Sequence, residues 1–219
     1  MLVATRSTGK LRELLPWLAA IGVTAESLDD AGIPVSAEED RLEAFDTFEA
    51  NALAKARWFH AQSDGRVVVS DDSGLEVAAL AGAPGVRSKR WSGRRDLDGT
   101  ALDRANNAHL QEMLRQASDG GCSSKRAQYV CAAACVWSHG EVVVRGVTAG
   151  VIAPVPRGGG GFGYDPYFVS DELGMTFGEA TREEKLQVSH RGRAFERLIG
   201  LLREPGRRIE FPVGQRDGG

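Results

Sequence analysis

The sequence predicts an α/β fold: a long mixed β-sheet flanked by helices, with the chain split into two lobes around a central cleft. Three observations predict it. The chain opens as strand, polar turn and helix; two β-rich runs, 128–138 and 141–152, are separated only by His139-Gly140; and strand and helix patterns alternate along the rest. A two-residue turn between β-rich runs marks a hairpin, so a purely parallel sheet is excluded. The 219 residues show no internal repeat and no low-complexity linker, so 1–219 is expected to be a single α/β domain of two lobes.

The elements follow in order. Leu2 to Thr5 reads as a short buried strand running into the turn Arg6-Ser7-Thr8-Gly9-Lys10. Leu11, Leu14, Leu15 and Leu18 then recur at helical spacing, and Pro16 inside that stripe predicts a kink or an early break. Asp46-Thr47-Phe48-Glu49 has the form of a capping box and opens a helix to about Gln62. Arg66 to Ser70 is short and β-branched, so it reads as a buried strand ending in a polar turn, Asp71-Asp72-Ser73-Gly74. Leu80 to Gly93 is rich in small residues and reads as a long loop, and 97–117 as a helix with Leu102, Leu110 and Leu114 on one side. Pro154 to Pro166 is a glycine-dominated loop. Thr181-Arg182-Glu183-Glu184 is a second capping box, Phe195 to Leu202 closes a C-terminal helix, and Gly214 to Gly219 is expected to fray.

Composition narrows the function. Twenty-seven basic residues against thirty acidic ones give a net charge of -3, so no global field would attract nucleic acid, and any polyanion must be met locally. The apolar runs 129–137 and 142–152 are too short or too interrupted to span a bilayer, so no membrane partner is expected. Met1 leads directly into an apolar run without a signal-peptide pattern, and a cytoplasmic location is expected. Cys122, Cys131, Cys135 and His139 admit a zinc site, but they lack paired Cys-x-x-Cys knuckles, and buried thiols are the simpler reading.

Four segments carry polar groups where chemistry is plausible. Thr5 to Lys10 joins a strand to a helix start, which offers backbone N–H groups and a lysine to phosphate; it lacks the first glycine of a Walker loop. Asp71 and Asp72 are adjacent carboxylates, costly if both are buried and ionised, so they suit a divalent cation or an activated water. Gly158 to Pro166 contains G-x-G-x-x-G, but Pro166 and a following strand deny it the helix of a dinucleotide site; it reads instead as a backbone that admits a ligand, with Phe162 or Tyr164 as an aromatic face and Asp165 as an acceptor. Lys185, His190 and Arg191 form a late basic cluster, which a solvated face would equally explain. His60, His109 and His139 stand singly, and no Ser/His/Asp triad is legible.

Taken together, 4–10, 47–56, 71–75, Gly82-Ala83-Pro84-Gly85-Val86, Gly161-Phe162-Gly163-Tyr164-Asp165-Pro166 and Ser189-His190-Arg191-Gly192 resemble, in order, the motifs of the inosine triphosphatase family. These are pyrophosphatases of noncanonical purine nucleoside triphosphates. The resemblance implies the two-lobed fold and assigns roles. Thr5, Arg6, Ser7, Thr8, Gly9 and Lys10 would hold the triphosphate, with help from Lys55. Glu43 and Asp72 would bind Mg²⁺, or Mn²⁺ in its place, and Asp72 would also accept the proton of the attacking water. Ser73, Phe162, Gly163, Tyr164, Asp165, Lys185, His190 and Arg191 would hold the nucleotide, mainly at its base.

Two departures stand out: Ser7 replaces the family's usual Asn, and Ala44-Phe45 replaces a frequent Thr-Gly pair. The stretch 37–43 is long and acidic, so Glu38, Glu39 and Asp40 compete with Glu43 as the metal ligand. The implied reaction is hydrolysis of ITP, dITP or XTP to the monophosphate and pyrophosphate, cleansing the nucleotide pool, in a homodimer. Donors near the 6-oxygen of the base would disfavour adenine. A pyrophosphatase of pyrimidine or modified nucleotides, and a regulatory domain that binds nucleotide without turnover, remain as alternatives.

Overall fold

A computed structural model describes residues 1–204; the expected fraying at 214–219 lies outside the described residues. The fold is α/β. Six strands form one mixed sheet in the order β2-β1-β3-β4-β5-β6, where β1 is Leu2–Val3, β2 Glu26–Ser27, β3 Val68–Val77, β4 Arg126–Trp137, β5 Gly140–Ile152 and β6 Phe168–Ser170. Both directions occur, since β1 pairs parallel with β2 and β3 whereas β5 pairs antiparallel with β6. The helices are α1 Thr8–Ala20, α2 Phe48–Gln62, α3 Gly99–Asp119, α4 Arg182–Val188 and α5 His190–Leu202.

The chain divides into two compact units. Among the described residues, the first comprises 1–72, 132–144 and 194–204; the second comprises 73–131 and 145–193. In the first, the parallel strands β1 and β3 register Leu2 against Val68 and Val3 against Val69, all fully buried or nearly so. Leu14 and Leu18 of α1 and Ala52, Ala56 and Phe59 of α2 are buried in the same unit. In the second, Leu75, Val77, Leu110, Tyr129, Ile152, Tyr164, Phe168 and Phe177 form one apolar cluster.

Several expectations need correction. The strand expected to stop at Ser70 runs ten residues, to Val77, so Asp71 and Asp72 lie inside β3 rather than on a turn beyond it. Their side chains are met by groups from distant elements, Lys10 on Asp71 and the Asn51 amide on Asp72, so the strand continues through them. Helix α1 does not break at Pro16 and continues to Ala20. Pro16 is exposed while Leu14 and Leu18 are buried, so the bond lost at the proline falls on the solvated side and packing holds the other. The cap of α2 is Thr47, whose hydroxyl accepts from the Ala50 N–H, one residue later than the Asp46 box implied. The expected 80–93 loop begins at the end of one short 3₁₀ turn, 78–80, and contains another, 85–90. Thr181 and Glu184 make both reciprocal bonds of the second capping box, as expected. Cys131 and Cys135 are buried, but Cys122 is exposed.

Candidate active site

The first unit collects the phosphate-facing candidates. Ser7 caps α1, its Oγ accepting from the Lys10 N–H at 3.4 Å, and the Thr5 Oγ1 accepts from the Ser7 N–H at 3.2 Å. Thr8, Gly9 and Lys10 therefore form the first turn of a thirteen-residue helix, where N–H groups and the helix dipole favour an anion. The Ser in place of Asn thus keeps a capping role. Arg6 is engaged otherwise: its guanidinium donates to Asp29, to Glu39 and to the carbonyls of Ile33 and Pro34 at 2.7–3.2 Å. Its side chain ties the 29–39 segment to the turn.

Behind that turn lie the acids. Adjacent residues of a strand point to opposite faces, so Asp71 and Asp72 meet different partners. The Lys10 ammonium pairs with Asp71 Oδ2 at 2.9 Å, and the Asn51 amide donates to Asp72 Oδ2 at 2.9 Å. Asn51 also accepts from the Phe45 N–H and donates to the Phe45 carbonyl, which joins the acidic loop to Asp72 through one fully buried side chain. Lys55 is buried and pairs with Glu43.

Burial pushes the Asp72 carboxyl above its ordinary value, against the pull of Lys10 and Lys55 and with reinforcement from the charge of Glu43. Burial alone would lower Lys55, yet Glu43, Asp71 and Asp72 together raise it. Three carboxylates and two ammonium groups thus act on one another in this cluster.

That donor set bears on the metal. Glu39 is held by Arg6 and by the Ser36 N–H, and Glu38 and Asp40 sit with it on a 3₁₀ turn, whereas the charge of Glu43 reaches Asp72. Among the described residues no cluster of three or more His, Cys, Asp or Glu side chains could hold a metal, zinc included. Glu43 and Asp72 are nevertheless hard oxygen donors that fit Mg²⁺, which takes one or two protein carboxylates and completes its shell with phosphate oxygens and water.

The second unit collects the base-side candidates. Asp165, buried at the end of the glycine loop, accepts from Lys185 Nζ at 2.7 Å, from the Tyr129 hydroxyl at 3.3 Å and from the Phe162 N–H at 2.7 Å. A side chain at Gly161 would put its Cβ 2.0 Å from Asp165 Oδ2, so only glycine permits this fold-back. Lys185 and Arg191 both lie over the Phe162 ring, 4.9 and 5.6 Å from its centroid. The buried Arg191 donates to Ser73 Oγ at 2.9 Å, and His190 stacks flat on Tyr129 with centroids 4.5 Å apart. Tyr164 offers no open face: it is buried in the apolar cluster, its hydroxyl donates to the Ser88 carbonyl at 2.9 Å, and burial raises its pKa.

Sequence reasoning missed Asn51 as a link, Asp71 as the partner of Lys10, Tyr129 as the partner of Asp165 and His190, and Asp103 and Asn107, which hold the Gly163 peptide at 2.9 and 2.8 Å. Only Asn51 and Asp71 lay inside quoted motifs. The remainder sit in stretches whose local pattern reads as ordinary helix or strand.

Comparison with known proteins gives a consistent picture. The family model described as the Ham1 family matches residues 1–201. A protein of Mycolicibacterium paratuberculosis named dITP/XTP pyrophosphatase is 49% identical, over 92% of this chain and 95% of its own. One of the same name from Thermus thermophilus is 40% identical, over 93% and 92%. Among solved structures, a HAM1 protein from Coxiella burnetii matches with a TM-score of 0.77 at 32% identity, covering 92% of this chain and 96% of that one. A Mycobacterium abscessus nucleoside-triphosphatase / dITP/XTP pyrophosphatase matches with a TM-score of 0.64 at 42% identity, over 92% and 95%.

Proposed function

The chain belongs to the Ham1 family, and we propose that it hydrolyses dITP, ITP and XTP across the α–β anhydride to give a nucleoside monophosphate and pyrophosphate. The observation that carries this reading is the gathering of Asp71, Asp72 and Glu43 about Lys10 and Lys55, with the buried Asp72 held by Asn51. Relatives named dITP/XTP pyrophosphatase support the substrate class. The coverage of each, above nine-tenths of both chains, supports carrying the activity over whole.

In this reading the first turn of α1 and Lys10 receive the phosphates, with Lys55 nearby. Glu43 and Asp72 would hold Mg²⁺, which, when bound, screens the triphosphate and polarises the bond to be cleaved. Asp72 takes one proton from the attacking water as its oxygen adds to phosphorus, and the electrons of the broken P–O bond leave with pyrophosphate. A carboxyl raised above its usual range is a better base for that step than an exposed aspartate. No covalent intermediate is required.

The base end falls to the Phe162 ring, Asp165, Lys185, His190 and Arg191. A 6-oxo purine offers an acceptor to donors in this set, whereas adenine presents an amino group and leaves a donor unmatched, at about 1–3 kcal/mol per buried group. The same resemblance carries the expectation of a cytoplasmic homodimer. No helix among the described residues is long and apolar enough to cross a membrane.

Incubation with dITP, ITP, XTP, ATP and GTP in the presence of Mg²⁺, with identification of the phosphate product, tests the reading. Pyrophosphate from dITP and XTP well ahead of ATP, abolished by a chelator and restored by Mg²⁺, is the expected result. Orthophosphate as the first product would reject the cleavage position, equal turnover of ATP the selectivity, and undiminished turnover in chelator the metal.

A further inference from the structure

The glycine loop that bears Phe162 is gripped from a helix that no motif singled out. Asp103 and Asn107 lie four residues apart on α3, hence on one face of it. Asp103 Oδ2 accepts from the Gly163 N–H at 2.9 Å, and Asn107 Nδ2 donates to the Gly163 carbonyl at 2.8 Å and to the Asp103 carbonyl at 2.9 Å. Both polar groups of one residue are therefore fixed by two side chains. Asn107 is 7% exposed, and its Oδ1 is buried without a hydrogen-bond partner among the described residues. Since both neighbours of its Nδ2 are carbonyl oxygens, the amide orientation is dictated by the grip, and it is kept although an acceptor goes unused.

Gly163 holds a φ of +63°, a conformation with no strong preference of its own to keep the loop in place. The residue before it is Phe162, whose N–H is held by Asp165 and whose ring lies under Lys185 and Arg191. The Phe162-Gly163 segment is thus fastened by Asp165 at the Phe162 N–H and from α3 at the Gly163 N–H and carbonyl.

We propose that Asp103 and Asn107 are positioning residues that hold Gly163, by its N–H and its carbonyl, so that the Phe162-Gly163 segment keeps the orientation that receives the purine base, and so set base affinity without touching the phosphate chemistry. This rests on the pyrophosphatase reading above. Losing either grip frees the segment, and the cost falls on binding of the base.

The test compares wild type with Asp103→Ala, Asp103→Asn and Asn107→Ala, measuring kcat and KM for dITP and, separately, the inhibition constant of inorganic tripolyphosphate, which has no base. Expected is a KM for dITP raised roughly 10-fold in both alanine variants, kcat within about two-fold, and an unchanged tripolyphosphate constant. Asp103→Asn retains an oxygen that can accept from Gly163, so it is expected to restore most of the affinity. An unchanged KM in both alanine variants overturns the proposal, as does a parallel loss for dITP and tripolyphosphate, which is the mark of general unfolding. Failure of Asp103→Asn to improve on Asp103→Ala overturns the role of that hydrogen bond. A wild type that releases no pyrophosphate from dITP would instead defeat the underlying reading, so the two failures are separable.

Discussion

Asp72 is a residue whose usefulness and whose cost have one origin. Its carboxyl is raised by burial, only partly offset by Lys10 and Lys55, so ionising it is harder in the folded chain than in the unfolded one, where the ordinary value of 3.8 applies. The sign follows by linkage: stability falls as pH rises from the ordinary value through the raised folded one, and above that the full cost of the buried carboxylate is carried. Replacing it with Asn removes that cost, leaves an oxygen to accept from Asn51, and keeps the Lys10–Asp71 and Lys55–Glu43 pairs. Asp72→Asn is therefore expected to raise the melting temperature of the ligand-free protein by about 2–4 °C for each kcal/mol relieved, while lowering turnover at least ~10²-fold. Thermal unfolding and pyrophosphate release on the same preparation check both halves. A drop in melting temperature would show that Lys10 and Lys55 need Asp72 more than burial penalises it, and near-normal turnover would remove it as the base.

At the scale of elements, α1 offers the cleanest test of what holds a helix here. Pro16 lies inside a thirteen-residue helix, lacks the N–H that would reach Arg12, and is exposed. Proline in a helix interior costs up to about 3 kcal/mol against alanine, and part of that is returned because proline also restricts the unfolded chain. Pro16→Ala is expected to stabilise the protein by about 1–2 kcal/mol in denaturant titration; a destabilised variant would mean that the ring packs usefully. Legibility divides along the same line. Local signals were read correctly or within one residue: the Thr181–Glu184 box, the end of α2 at Gln62 and the hairpin between β4 and β5, whose turn is Ser138-His139 rather than His139-Gly140, each depend on residues within a few positions. The passage of β3 through Asp71 and Asp72 was not, because two adjacent acids look like a turn until Lys10, Asn51 and Lys55 arrive from α1 and α2. Asp103 and Asn107 were invisible for a similar reason, since their partner is sixty residues away in the case of Asp103. Arg6 and Tyr164 sat in the right motifs but spend their side chains on the fold.

At the scale of the whole molecule, the question is whether the two compact units unfold together. Three strands run uninterrupted across the unit boundaries: β3 at Asp72–Ser73, β4 at Cys131–Ala132 and β5 at Val144–Arg145. Breaking a strand's pairing in one unit frays the next residues in the other, which favours a single cooperative transition. The cysteines report on this directly. Cys131 belongs to the second unit and Cys135 to the first, both are fully buried, and burial pushes the Cys135 thiol up to about 12, whereas Cys122 is exposed. The thiolate is the reactive form, so at pH 8 the native chain is expected to consume one equivalent of an aromatic disulfide reagent at Cys122 and the unfolded chain all three. With Cys122 replaced by Ser, labelling of Cys131 and of Cys135, distinguished by peptide mass, should rise at the same denaturant concentration. Coincident midpoints would support one folding unit spanning both cores; a Cys131 midpoint separated from that of Cys135 would show that either unit opens while the other stays folded, despite the strands they share.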